Sequence, residues 1–297
     1  MALTKSVTRL IMGLAIGFTA FFAILFGGIP LILLCGIVVI LGSKEYTKIL
    51  ENKGFTPNYK IVIISSLIFA LIAYFNRLEL LPLAFTISTF MAFMWVLFRG
   101  KQPYIANVAT TILGFVYCGW FPLHLLLLRD IGCCEPIYTF HGLIKTNPSM
   151  EGAAFSVLML LGIILTDSFC YYAGVQFGKH KLAEVISPNK TVEGAIGGTL
   201  ACVIFCLVFG IWVFDLPWYH SLVLGLLISM FAQIGDLCES MIKRDAGVKD
   251  SSDIIPGHGG FLDRTDSYIL TIPVVYYYLE FFVQNNFLDL LKGLFNA

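Results

Sequence analysis

Residues 240–266 read SMIKRDAGVKDSSDIIPGHGGFLDRTD, and the charges in this chain gather there. In 27 residues stand the bases Lys243, Arg244, Lys249 and Arg264, the acids Asp245, Asp250, Asp253, Asp263 and Asp266, and a His258-Gly259-Gly260 turn. Asp263 and Asp266 are three residues apart, so on a helix both project to one side with Arg264 turned away. Carboxylates so placed suit a hard cation. Mg²⁺ typically takes one or two of them and completes its shell with phosphate oxygens and water. The four bases carry enough charge to hold a triphosphate, and the run from Pro256 to Gly260 lets backbone approach a ligand closely. His258 alone says little, because a structural hydrogen bond serves it as well as proton transfer. A charge run beside a membrane is usually a wet loop; the ordered Gly/His/Asp punctuation speaks against that here.

Two further constellations are polar islands in apolar surroundings. Residues 178–198 read GKHKLAEVISPNKTVEGAIGG. Ser187-Pro188-Asn189-Lys190-Thr191 reads as a turn and cap, with Pro188 fixing one φ and Thr191 capping a helix that starts at Val192. Free N–H groups at such a helix start attract anions, and Lys190 adds a point charge. A well-capped solvated loop explains the same residues, and Gly194, Gly197 and Gly198 read equally as helix-packing positions. The other island is acidic. Asp167 lies within an apolar run and Asp236 is expected at the end of another, with Glu239 three residues on. A carboxylate in hydrocarbon is costly, so such residues usually face a polar cavity or a basic partner.

The elements that must carry these residues are apolar. The chain has 297 residues, 58% hydrophobic and 13% charged, against about a quarter charged in a soluble domain. Nineteen basic residues balance nineteen acidic ones, so net charge names no partner and no nucleic acid is expected. Of eight cysteines, Cys35, Cys118, Cys170, Cys202 and Cys206 lie in apolar runs, and none has metal-ligand spacing. Runs suited to crossing a bilayer fall at 10–26, 29–41, 61–75, 80–98, 104–128, 152–178, 195–214, 219–235 and 268–283. The uncharged stretch 10–43 would extend about 51 Å as one helix, too long for one crossing and right for two short ones. Because one apolar run leads directly into the next, a cleaved leader is not expected.

The expected fold is therefore an all-α, polytopic integral membrane protein with about nine transmembrane helices. It forms one membrane domain over 1–297: N-terminal helices over 1–150 and a catalytic half over 151–297. On this reading Arg77, Arg129, Lys145 and Lys292 lie on one side of the membrane and the other fifteen bases on the opposite side. The positive-inside rule then makes the N-terminus and the loops 42–60, 99–103, 179–194 and 236–267 cytoplasmic, and the C-terminus external.

Ser240, Lys243-Arg244, Lys249-Asp250, Ser252, Pro256, His258-Gly259-Gly260, Asp263-Arg264 and Asp266 fall in an order and spacing that resemble the phosphatidate cytidylyltransferase family, also called CDP-diacylglycerol synthases. The Asp167 run and the block Ser187–Thr191, Glu193-Gly194 and Gly197-Gly198 look like the same family, so the specific likeness covers roughly 160–270. Val192 stands where the family often has tryptophan, and Ser168-Phe169-Cys170 where small residues are common; both departures touch packing more than chemistry. The resemblance implies that CTP and phosphatidic acid give CDP-diacylglycerol and pyrophosphate, by direct displacement at the α-phosphorus. It implies Mg²⁺ on Asp236 and Asp263, leaving open a second cation, monovalent or divalent. Lys249 and Asp266 join these two as catalytic residues. Ser187, Asn189, Lys190, Ser240, Lys243, Arg244, Asp250, His258, Gly259, Gly260, Arg264 and Asp167 are then the substrate-binding set. The expected partners are CTP, phosphatidic acid and the bilayer of a bacterial inner membrane, with a homodimer allowed. A CTP-dependent lipid kinase, which releases CDP, or a relative acting on another lipid phosphate such as an isoprenoid one, and an ion-coupled transporter using Asp167 and Asp236 are the competing readings. The transporter would call for internal repeats, and none is visible.

Overall fold

A computed structural model describes residues 2–132, 138–139, 144–145, 150–252 and 259–284. His258, with Asp253, Pro256 and Gly257, lies outside them, as do Cys133, Cys134, Lys292 and Ala297. Helices dominate: α1 Ala2–Phe26, α2 Gly28–Asn52, α3 Tyr59–Tyr74, α4 Leu81–Arg99, α5 Tyr104–Gly114, α6 Phe121–Asp130, α7 Met150–Phe177, α8 Val192–Phe214, α9 Trp218–Asp245 and α10 Leu262–Tyr278. A π-helical turn, Phe115–Trp120, joins α5 to α6 in one rod. The described strands are short, β1 Tyr138–Thr139 with β2 Ile144–Lys145, and β3 Lys181–Ala183 with β4 Ser187–Thr191, each pair antiparallel.

The fold is all-α and polytopic. Each of the nine apolar runs falls on a helical segment, and six segments are long and apolar enough to cross a membrane by length and composition: α2, Leu78–Arg99, Tyr104–Asp130, α7, α8 and α9. That criterion does not reach nine. Large apolar side chains such as Trp212, Ile105 and Leu97 point outward, as hydrocarbon solvent requires.

Three boundaries differ from the sequence reading. The break at Gly27 makes 10–43 two helices, but α2 runs on to Asn52, so the first half of the expected 42–60 loop is helical. Likewise α9 continues to Asp245, so Asp236 lies within a helix and not at its end. In both cases the helix outlasts its apolar stretch and its polar side chains find distant partners, Glu45 at residues 251–252 and the start of α10, Asp236 at Lys190 on β4. Ser187–Thr191 is a strand, not a turn; the turn lies at residues 184–186. Pro188 is tolerated there because the two-stranded ladder is irregular between Lys181 and Ala183.

The catalytic-half helices pack as a bundle, α7 on α8, α8 on α9 and α9 on α10, with α10 also on α6. Gly194, Gly197 and Gly198 do serve packing: a Cβ on Gly198 would meet the Cys170 Sγ at 2.3 Å and the Thr166 carbonyl at 2.7 Å. One apolar core runs through the bundle, from Leu31 and Phe69 to Ile163, Ile228 and Ile272. A second, smaller one joins Tyr46, Ile49, Tyr117, Leu262 and Ile269 beneath the polar residues.

Candidate active site

Helix α9 supplies most of the polar side chains. Asp236, Glu239, Ser240 and Lys243 follow at offsets of 3, 4 and 7, one face of a continuous helix. Ser240 Oγ donates to Asp236 Oδ1 at 3.3 Å. The other Asp236 oxygen meets Lys190 Nζ at 2.7 Å, reached from β4 across the bundle. Hairpin and helix start are held together. Thr191 Oγ1 accepts from the Gly194 amide at 3.2 Å, the cap expected from sequence. Glu193 accepts from the Lys179 amide at 3.0 Å and contacts His180 Nδ1 at 2.6 Å. Arg244 ties the far end of α9 to this hairpin, its Nε donating to the Ile186 carbonyl at 3.2 Å and its Nη1 to that of Val248 at 3.3 Å.

Asp167 and Asp266 complete the group around Lys190 and Asp236. Asp167 lies well along α7 yet is exposed, within electrostatic reach of both. Asp266 stands close to Asp236 because Gly235 lets α9 touch the α10 backbone: a Cβ there would meet the Asp266 carbonyl oxygen at 2.5 Å.

Asp263 belongs to a neighbouring cluster. Its carboxylate accepts from Lys243 Nζ at 2.5 Å, the Gly260 amide at 2.8 Å, Ser251 Oγ at 2.9 Å and the Ser251 amide at 3.0 Å. Lys243 also pairs with Glu239, one turn back on α9 and 1% exposed. Asp236 and Asp263 thus face different lysines. Asp263 lies in the first turn of α10 and Asp266 three residues on, but Asp263 turns to Lys243 and Asp266 to Asp236. Among the described residues no three His, Cys, Asp or Glu side chains converge on one metal position. The donor set is nevertheless all oxygen, and Mg²⁺ asks for only one or two carboxylates when phosphates supply the rest. The acids fit that ion.

Of the remaining expected residues, Asn189, Lys249 and Asp250 are exposed, Ser187 is half-buried, and Gly259 takes a positive φ of 80°. Arg264 lines a cavity of about 730 Å³ walled by α1, α2, α6, α7 and α10, in the range of small-molecule sites. Apolar side chains such as Phe21, Val38 and Ile164 make up most of the wall. Arg264 is the charged residue among the described lining, and Thr265 and Tyr268 follow it along α10. Tyr268 lies within electrostatic reach of Asp167 and Asp266, so this wall of the apolar cavity stands near the acidic group.

Sequence reasoning missed Glu45. On α2, 1% exposed, it accepts hydrogen bonds from Ser251 Oγ, Ser252 Oγ and the Phe261 and Leu262 amides. The sequence signal was thin: one acid between Lys44 and Tyr46, after an apolar run, reads as wet loop.

The chain matches the Cytidylyltransferase family over residues 7–282. A relative from Synechocystis named "Phosphatidate cytidylyltransferase" is 34% identical over 287 residues, 93% of this chain and 96% of that protein. The Arabidopsis thaliana "Phosphatidate cytidylyltransferase 4, chloroplastic" is 33% identical over 92% of this chain and 73% of its own length. A Bacillus subtilis protein of the same name is 40% identical over 154 residues, 51% of this chain and 55% of that one.

Proposed function

Since the chain belongs to the cytidylyltransferase family and is a nucleotidyltransferase of the membrane, we propose that it joins CTP to phosphatidic acid, giving CDP-diacylglycerol and pyrophosphate. One observation carries this reading: a large apolar cavity between α1, α2, α6, α7 and α10 has a single charged residue, Arg264, in its described lining, and Arg264 directly follows Asp263 of the polar cluster. A lipid phosphate has those two halves. Its acyl chains would lie among Phe21, Val38 and Ile164, with its headgroup at Arg264. CTP, a cytosolic polyanion, would approach from the hairpin and the 249–250 segment, where Lys190, Arg244 and Lys249 lie.

In the step itself a phosphate oxygen of the lipid attacks the α-phosphorus of CTP. The bond from that phosphorus to the bridging oxygen breaks, and pyrophosphate leaves with the electron pair. Lys190, Arg244, Lys249 and Arg264 would hold the phosphates in line, and this positioning lowers the barrier. Asp236 and Asp263 would hold Mg²⁺, which when bound offsets charge on the reacting phosphates. Meanwhile Lys190 and Lys243 keep these two carboxylates oriented, and Asp266 adds a third carboxylate near Asp236 from α10. Charge distribution supports a cytoplasmic site: with residues 179–194 and 236–267 on the inner face, CTP has access, and the C-terminus lies outside.

The test is CTP-dependent pyrophosphate release by purified enzyme in phosphatidate-containing micelles, with the lipid product identified by mass spectrometry. CDP-diacylglycerol and pyrophosphate in equal amounts, abolished by EDTA and restored by Mg²⁺, are expected. Release of CDP with a newly phosphorylated lipid, or no CTP turnover with phosphatidate, overturns the reading.

A further inference from the structure

Glu45 lies more than 200 residues before the segment it touches. Its Oε2 accepts from Leu262 N at 2.6 Å and Ser251 Oγ at 3.0 Å; its Oε1 accepts from Phe261 N at 2.9 Å and from Ser252 Oγ. The Phe261 and Leu262 amides open α10, so they are among the donors a helix start leaves without intrahelical partners. A buried anion is stabilised there by the same amides and by the helix dipole. Capping alone would not need a residue from a distant helix, since Asp263 already accepts from Gly260 locally. What a remote carboxylate adds is a fixed distance between α2 and α10.

That distance bears on the site. The two clamped amides immediately precede Asp263 and Arg264, and α2 also walls the cavity that Arg264 lines, through Leu34 and Val38. Ser251 Oγ stands between Glu45 and Asp263, 3.0 Å from one and 2.9 Å from the other; its single proton can serve only one at a time. Space is committed as well. A Cβ on Gly260 would fall 1.7 Å from Ser251 Oγ and 2.7 Å from Glu45 Oε2, so the second glycine of the His-Gly-Gly motif leaves room for this clamp.

We propose that Glu45 is a positioning residue for nucleotidyl transfer, its carboxylate holding the start of α10 and residues 251–252 so that Asp263 and Arg264 stand in register with the lipid cavity. This rests on the reaction proposed above. Glu45→Gln is the decisive variant. Whichever way its amide turns, one of the Phe261 and Leu262 N–H groups loses its acceptor, while shape is kept. A serine hydroxyl can rotate to adapt; a backbone amide cannot. Glu45→Asp keeps both oxygens on a shorter arm.

Rates of pyrophosphate release are measured per folded, monodisperse enzyme, well below the unfolding temperature, against both CTP and phosphatidate. Misplacement of about 1 Å at a reacting centre costs on the order of 10²-fold, so Glu45→Gln is expected to lose about that much kcat, and Glu45→Asp less. A merely structural residue would lower the folded yield and leave kcat per folded molecule unchanged, and that result overturns the proposal. If Glu45→Gln does not fold, Ser252→Ala removes one clamp donor without orphaning an amide and should lower kcat in the same direction; wild-type kinetics there also overturn it. Hydrogen exchange of residues 259–266 separates this proposal from the reaction assignment. If wild type turns over no CTP, the reaction is wrong, yet exchange must still be faster in Glu45→Gln (or Ser252→Ala) than in wild type, and unchanged exchange sinks the clamp.

Discussion

Replacing Lys243 by methionine removes one ammonium from between two carboxylates of unequal resources. Asp263 keeps three donors, the Gly260 amide at 2.8 Å, Ser251 Oγ at 2.9 Å and the Ser251 amide at 3.0 Å. Glu239 keeps none: it is 1% exposed, and among the described residues neither of its oxygens has a hydrogen-bond donor, so the Lys243 ion pair is what balances its charge. Breaking a buried ion pair by deleting one partner costs about 3–5 kcal/mol, and here most of it falls on Glu239. A neutral buried polar group without a partner costs about 1–3 kcal/mol. Adding Glu239→Gln to Lys243→Met should therefore recover about 2 kcal/mol.

Stability is read by SDS titration in mixed micelles, and activity by pyrophosphate release. The expected pattern is a large loss of stability in Lys243→Met, partial recovery in the double variant, and no recovery of activity, because the ammonium beside Asp263 is still missing. Wild-type stability of Lys243→Met would refute the reasoning. So would a double variant no more stable than the single one, since the penalty would then lie elsewhere than on Glu239.

Three further outcomes are expected. Asp236→Asn severs the 2.7 Å pair with Lys190 and should reduce turnover at least 100-fold, on the order of losing a charge contact made in the transition state, in a protein that elutes as wild type in detergent; near-normal turnover at saturating Mg²⁺ would remove Asp236 from the site. Thr191→Ala deletes the cap on α8, and should cost about 1 kcal/mol of stability while leaving kcat within about twofold, as expected for loss of a cap alone; a larger rate effect would mean the hairpin needs that cap to aim Lys190. A reporter fused after Ala297 should be external and one inserted into residues 179–194 cytoplasmic; finding the hairpin outside would separate the site from CTP and sink the reaction.

How far the sequence was legible depends on whether an interaction was local. The helices and their apolar character follow from run lengths, and the Thr191 cap and the α7–α8 glycines follow from neighbours in the chain. Helix ends were not legible, because Glu45 and Asp236 are polar residues whose partners, the start of α10 and Lys190 on β4, lie far away in the sequence. Periodicity sees only one helix at a time. The same limit shaped the site. The motif acids and bases were visible as a set, but their division into two lysine-centred clusters, Lys190 with Asp236 and Lys243 with Glu239 and Asp263, required the crossing of α9 with β4 and α10. Glu239 was legible as a neighbour of Asp236 on one face but not as the most deeply sealed acid of the cluster. Glu45 shows the limit most clearly. Its partners lie more than 200 residues away, and what marks it as special is not its own surroundings in sequence but the volume it takes from Gly260. A glycine in the motif was readable as permission for close approach; that the group approaching there includes a carboxylate of the chain itself became visible only once α2 was in place.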